Sequence, residues 1–283
     1  MVLMAARLLA QRKDRLAGQV KFMFQPAEEG PGGAGPMIEE GVLEAPHVDA
    51  ALAIHVWNDL PLGTIGVRPG PIMASAGELY FTIIGKGGHG AAPHQAVDPV
   101  VTAAQLILAL QTVVSRQVDP IKSAVITIAS IHAGKVFNII PNEVELLGTL
   151  RSFDAELRDT IVEQIERVAR GVTEAMGASY RFEHRSLYPA TVNDAAMAAL
   201  VKEAAATVVG PERVIHHDQS MGAEDMSLVL EQVPGCYFLI GSSNVDRGLT
   251  NPHHGPLFDF DEDALVVGTE VIVRAVERYL GQG

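Results

Sequence analysis

Two adjacent carboxylates, Glu28 and Glu29, lie in the loop Gln25-Pro26-Ala27-Glu28-Glu29-Gly30, directly after the apolar run Val20-Lys21-Phe22-Met23-Phe24. A carboxylate pair at the carboxyl end of a buried strand sits where open α/β sheets place their ligands. Neighbouring residues point in different directions, so one can face a metal and the other a water. Taken alone, the pair is also what a solvated acidic turn looks like. His55 ends a second apolar run that starts at Val48. From there its ring can reach the same crevice, although a satisfied core histidine has the same sequence appearance. His253 and His254 stand in Asn251-Pro252-His253-His254-Gly255-Pro256, just ahead of the final helix. Imidazole and carboxylate together suit Zn²⁺, Mn²⁺ and related ions. Glu29, His55 and either His253 or His254 would be three ligands from three loops, and a catalytic centre adds an open position for water.

Other candidates are weaker. Gly85-Lys86-Gly87-Gly88-His89-Gly90 lets backbone approach a ligand closely, and His89 could polarise a carbonyl oxygen; a surface turn has the same composition. Gly30-Pro31-Gly32-Gly33-Ala34-Gly35 has the form of a dinucleotide turn, with Asp49 at about the ribose distance. It starts too far from the strand, however, and Glu28 and Glu29 would face the pyrophosphate. Gly134-Lys135 lacks the rest of a phosphate loop. His132, His216 and His217 have no companions at ligand spacing and read as surface or structural residues. Met221-Gly222-Ala223-Glu224-Asp225 reads as a helix start, with acidic residues near the positive end of the dipole. The single cysteine, Cys236, falls in Val233-Pro234-Gly235-Cys236-Tyr237-Phe238-Leu239-Ile240-Gly241, a buried-strand pattern, and reads as a core thiol. One cysteine makes no internal disulfide, so a reducing cytoplasm is expected.

The elements that must position these groups alternate in the α/β manner at both ends of the chain. Helix 1–14, strand 19–24, a short helix at 36–40 and strand 48–55 come first. Helix 194–209, helix 223–231, strand 236–240 and helix 261–280 come last. Between them, strand 78–85, helix 99–118 with Val101, Ala104, Ile107 and Leu108 at helical spacing, strands 124–131 and 143–150, helix 155–176 and strand 179–185 follow the β-α-β-β-α-β order of a ferredoxin-like unit. The chain has 283 residues, 34 acidic and 21 basic, for a net charge of −13. That balance argues against nucleic acid, whose phosphates need clustered Lys and Arg, and against an anionic membrane surface. No apolar run approaches the ~20 residues of a membrane span. The opening Met1-Val2-Leu3-Met4-Ala5-Ala6-Arg7-Leu8-Leu9 lacks the basic leader of a signal peptide, and reads as a helix without a cap.

Taken in order, the motifs resemble the M20 metallopeptidase family. They are most similar to its amidohydrolase branch of hippurate hydrolases, N-acyl-amino-acid amidohydrolases and indole-acetyl-amino-acid hydrolases. The resemblance rests on Gln25-Pro26-Ala27-Glu28-Glu29, Gly87-Gly88-His89-Gly90-Ala91-Ala92-Pro93, Asn138-Ile139-Ile140-Pro141, Gly148-Thr149-Leu150-Arg151, Met221-Gly222-Ala223-Glu224-Asp225 and His254-Gly255-Pro256-Leu257-Phe258-Asp259. It implies a discontinuous metallopeptidase-like α/β catalytic domain, residues 1–75 and 188–283, interrupted by a ferredoxin-like α+β lid at 76–187 that forms a homodimer. It implies Glu28 as general base and proton shuttle. Glu29, His55 and His254 match metal ligands, with His254 preferred to His253 for its place two residues before Pro256. His89, Asn138 and Arg151 match substrate-binding residues. One or two divalent ions (Zn, Mn or Co) and an N-acyl amino acid or short peptide as substrate follow from the same resemblance. The branch also carries a Cys-Gly-His-Asp-x-His motif ahead of the helix matching Met1–Leu9. This sequence does not contain it, so the expected catalytic domain is incomplete at its amino-terminal side. The alternative expectation is an inactive fragment that dimerises through the lid.

Overall fold

In a computed structural model, which describes residues 1–30 and 32–281, three of the longer helices start where short acidic side chains cap them. Asp98, Asp154 and Asp194 each accept a hydrogen bond from a first-turn N–H, of Val100, Leu157 and Met197 respectively. Along the chain, α1 (Val2–Ala10) and α2 (Ala34–Glu39) precede β1 (Ala51–Pro61), β2 (Ile65–Val67) and β3 (Gly70–Met73). Next come β4 (Ala76–Ile84), β5 (Gly88–His89), α3 (Pro99–Thr112, continued by a π turn over Val113–Gln117), β6 (Ala124–Ala133), β7 (Ile139–Ile140), β8 (Glu143–Ser152), α4 (Ala155–Ala175) and β9 (Ser179–Tyr188). The chain continues through β10 (Thr191–Asn193), α5 (Ala195–Val209), β11 (Val214–His216), α6 (Ser227–Leu230), β12 (Gly235–Ser243) and α7 (Asp263–Tyr279). These elements form two compact units, one of residues 1–72, 191–220 and 224–283, the other of 73–190 and 221–223.

In the first unit, a four-stranded sheet runs in the order β1-β12-β2-β11. β12 is parallel to β1 and antiparallel to β2, and β2 is parallel to β11. Cys236, Phe238 and Ile240, on one face of β12, are buried with Ala5 and Leu9 of α1, Val201 of α5 and Val271 and Ala275 of α7. β12 is buried along almost its whole length, the run of apolar residues that a covered strand requires. Cys236 is fully buried, as a core thiol, and burial pushes its pKa up to about 12.

In the second unit, an antiparallel sheet has the order β6-β8-β4-β9, with α3 and α4 joining its strands. The connection and strand order are those of a ferredoxin-like fold. Leu79, Phe81 and Ile83, spaced by two along β4, pack with Leu106 and Leu110 of α3 and Ile161 and Ile165 of α4. The segment Pro99–Gln117 has the length and mean hydropathy (1.3) of a membrane span. Its Ala103, Leu106, Leu110 and Val113 are nonetheless core residues of this unit.

Two expected elements differ from the structure. Residues 19–24 are not a strand: none of them makes a backbone–backbone hydrogen bond, and Lys21 instead donates through Nζ to the carbonyls of Val42, Glu44 and Pro46. A strand exists only through a partner, and this segment has none in register. The helix expected over 223–231 shrinks to α6, because the side chains of Glu224 and Asp225 bond to other parts of the unit.

Candidate active site

The loop after the segment 19–24 turns sharply. Ala27 has φ 60°, left-handed for a residue with a side chain. The loop then doubles back so closely that a Cβ on Gly33 would collide with the carbonyl oxygen of Pro26. Asp225, fully buried, holds this shape. Its Oδ1 accepts from Gln25 Nε2 at 2.5 Å, and its Oδ2 from the N–H groups of Gly33 (2.8 Å) and Ala34 (3.0 Å). Three donors satisfy a carboxylate that would otherwise be costly to bury. The loop so fixed presents Glu28, half-buried, and Glu29, exposed.

A second clamp holds the histidine loop. Asn58, on β1, is buried and fully bonded. Its Nδ2 donates to the carbonyls of Asn251 (2.9 Å) and Asp259 (2.8 Å), and its Oδ1 accepts from Ser242 Oγ (2.7 Å). The backbone N–H of Asn58 donates to His253 Nε2 at 3.0 Å. The His253 ring packs on Trp57 and Phe258, with centroids 5.1 and 4.7 Å away. Burial, reinforced by His55, lowers the His253 pKa. His253 is thus committed to the scaffold. His254, also left-handed at φ 62°, remains exposed and brings Nδ1 to 3.8 Å from Glu29 Oε2. His55 lies on β1, its ring centroid 5.6 Å from that of His253 and 6.5 Å from that of Tyr237.

Glu28 feels the charges of Glu29, Asp225, His55 and His254. Burial raises its pKa most, Glu29 and Asp225 raise it further, and His55 and His254 oppose them. Behind it is Glu224, buried, with Oε2 accepting from Tyr237 OH (3.0 Å) and Oε1 from the N–H of Met226 (3.3 Å). Oxygens of Glu28, Glu224 and Asp225 lie within 4.8 Å of one another. Burial first, then Glu28, pushes the Glu224 pKa up to about 7, and the Tyr237 hydroxyl is raised well above 10 by burial and by Glu224.

Thus Glu29 and His254 meet, Glu28 feels the charges of Glu29, His55 and His254, and the ligand-distance cluster among the described residues is Glu28, Glu224 and Asp225, whereas the expected substrate contacts all lie in the second unit. There, His89 and Asn138 are neighbours through β5 and β7: Gly90 N donates to Asn138 O at 2.8 Å, and His89 Nδ1 accepts from Ala91 N. Arg151 is on β8, opposite Val125 of β6. It is half-buried, burial lowers its pKa, and no hydrogen bond or ion pair reaches its guanidinium among the described residues. Sequence reasoning missed Asp225, Glu224, Tyr237 and Asn58 as parts of the site. The acidic pair at 224–225 was visible, but Asp225 is 200 positions from Gln25, and no spacing rule connects them.

The raised Glu224 pKa has a definite sign. Between its ordinary value of 4.5 and about 7, the native protein keeps a proton that the unfolded chain releases, so this group withdraws stability as pH rises through that window. With metal removed by chelation, Glu224→Gln is expected to gain stability over the parent at pH 8 and none at pH 4, as read by urea denaturation across pH. Parallel curves for the two proteins would contradict this account.

Residues 1–278 match the profile of Peptidase family M20/M25/M40. The chain is 40% identical over 265 residues to N-acetylcysteine deacetylase of Bacillus subtilis, covering 94% of this chain and 67% of the relative. It superimposes on the crystal structure of a putative aminohydrolase from methicillin resistant Staphylococcus aureus with TM-score 0.88 and 33% identity, covering 98% of this chain and 70% of that one. A Bacillus subtilis structure described as a dinuclear metal binding peptidase from the M20 family matches with TM-score 0.83 and 35% identity, covering 100% and 71%. A profile match over nearly the whole length, with close relatives in both sequence and structure, shows that the chain belongs to peptidase family M20/M25/M40.

Proposed function

We propose that this chain is a metal-dependent amidohydrolase that cleaves the amide bond of N-acyl amino acids or short peptides. The observation that carries the reading is the meeting of Glu29 and His254 near Glu28, whose pKa burial raises. Ligand atoms about 2.0–2.2 Å from one ion can be no more than about 4.4 Å apart. The 3.8 Å between Glu29 Oε2 and His254 Nδ1 therefore fits a shared ion, and a carboxylate with imidazoles is a donor set for zinc, manganese or cobalt. Glu29, His254 and His55 would hold it. When bound, the metal supplies Lewis acidity and lowers the pKa of water. The description of a structural neighbour as dinuclear supports room for a second ion.

The chain's own residues would do the rest. Glu28 takes a proton from the attacking water and returns it to the departing nitrogen, a task suited to a carboxyl whose pKa is raised by burial. Arg151, whose guanidinium has no partner among the described residues, is the group for a substrate carboxylate, since its planar fork matches a carboxylate's two oxygens. His89 and Asn138 are assigned to the substrate's carbonyl and acyl side. The N-acetylcysteine specificity in a relative's name supports a small N-acyl amino acid. A homodimer through the second unit is part of the same reading. β6 is an edge strand with Ile131 exposed, and α3 turns Val101 and Leu108 outward, an apolar surface that a partner copy would cover. The lone, buried Cys236 supports a cytoplasmic location.

Three outcomes are expected. Glu28→Gln lowers release of amine from N-acetyl amino acids by about 10²–10⁴-fold while the metal content, measured by mass spectrometry, stays at the parent level. A protein that binds no metal and shows no turnover would favour the inactive, lid-dimerising reading. Arg151→Met raises KM for substrates with a free carboxylate by roughly ten- to a hundredfold and leaves KM for their carboxamides unchanged. Leu108→Glu converts a dimer into a monomer in light scattering after size exclusion; an unaltered mass would remove α3 from the interface.

A further inference from the structure

The sheet face of the first unit that carries His55 also carries a cation, Arg68. His55 of β1 and Gly66 of β2 are both opposite Leu239 of β12. Ile65, Val67, Phe238 and Ile240 turn the other way, into the helix-covered core. Alternation then puts Arg68, one residue beyond β2, on the face of His55, Trp57 and Tyr237. Its backbone is fixed there, because Asn193 Nδ2 donates to the carbonyls of both Arg68 (2.9 Å) and Tyr237 (2.8 Å). Gly66 leaves the space that His217 fills, since a Cβ on Gly66 would stand 3.0 Å from His217 Cδ2. His217 in turn sets its ring at 89° to that of Trp57, with centroids 5.9 Å apart. Arg68, His217 and Trp57 are therefore linked in one patch, each of them half-buried.

The patch lacks a counter-charge. Arg68 Nη1 donates to the carbonyl of His217 at 3.2 Å, the one hydrogen bond of this guanidinium among the described residues. Its Nε is enclosed and has no acceptor. The chain has 34 acidic residues against 21 basic, yet none of them forms an ion pair with Arg68 among the described residues. Arg247 and Arg278, on the surface, each hold a carboxylate. A half-buried guanidinium has lost part of its hydration, and a single carbonyl replaces little of it. An anion restores the balance. The planar fork suits a carboxylate, and the neighbouring indole favours one borne on a short carbon chain over inorganic phosphate. We propose that Arg68 is a specificity-determining residue that binds, with Trp57 and His217, a carboxylate the substrate carries in addition to the one assigned to Arg151. The favoured amides then bear two carboxylates, the second in the amino acid side chain or in the acyl group. The substrate clause rests on the hydrolase reading above; the anion subsite does not.

Trp57 is the only tryptophan of the chain, so its fluorescence reports on the patch. Glutarate, its monoamide and inorganic phosphate are titrated into the full chain. Glutarate should change the emission saturably, with the monoamide and phosphate binding more weakly. Arg68→Gln should weaken glutarate by roughly tenfold or more, and Arg68→Lys, which keeps the charge, should restore most of the affinity. Arg68→Met gives the same comparison should the Gln variant lose its fold. In turnover, the preference in kcat/KM for N-acetylglutamate over N-acetylglutamine, or for N-succinylalanine over its succinamide analogue, should fall by roughly tenfold in Arg68→Gln, through KM rather than kcat. Saturable, Arg68-dependent glutarate binding without turnover of any of these amides would remove the hydrolase reading and leave the subsite standing. Three results would overturn the proposal: no saturable effect of glutarate on the parent, equal affinity in parent and Arg68→Gln, or tighter binding of phosphate than of glutarate.

Discussion

The site depends first on one buried carboxylate. Asp225 lies 200 residues from Gln25, yet its two oxygens hold Gln25, Gly33 and Ala34 at hydrogen-bond distance. Between those anchors, the loop that carries Glu28 and Glu29 has few other shapes open to it. Gly33 must lack a side chain for the loop to close, and Ala27 must accept a left-handed backbone for it to turn. A carboxylate costs most when it is buried and least when its donors are already in place. Asp225 meets that condition by drawing its donors from the loop it organises. The arrangement also sets the electrostatics. The charge on Asp225 presses on Glu28 and Glu224, so the clamp that positions Glu28 also raises its affinity for a proton.

Asn58 plays the corresponding part for the histidines, with a neutral amide in place of a charge. It ties the loop of residues 251–259 to β1, which also carries His55. The same local structure separates two adjacent imidazoles by role. His253 gives Nε2 to the backbone of Asn58 and its ring to Trp57 and Phe258, so its lone pair is not available to a metal. His254, one residue on, makes no such commitment and leans toward Glu29. Two loops thereby meet at Glu29 and His254, each held by a side chain that is not itself a donor to the site.

Much of this was legible in the sequence, and unevenly so. The ferredoxin-like unit was readable because everything that specifies it is local: alternate apolar residues in β4, helical spacing in α3 and α4, and aspartates at the helix starts. Glu28, Glu29, His55 and His254 were readable from residue type and motif. Asp225 and Asn58 were not, because their roles exist only once distant segments meet. The strand expected at 19–24 has the right composition, but strand is a property of a pair, and composition cannot supply the second member. The helix expected at 223–231 failed for the opposite reason, since tertiary hydrogen bonds to Glu224 and Asp225 outbid the local ladder.

The fully buried Cys236 has a practical side. With its thiol pushed up to about 12 and enclosed on β12, the folded protein presents no reactive sulfur to solvent. Any cysteine placed on the surface would be the sole target of a maleimide dye, with no background to subtract. Pairs of such dyes could report distances between the two units in single molecules. Labelling of the native thiol itself would mark only those molecules in which the first unit has come apart.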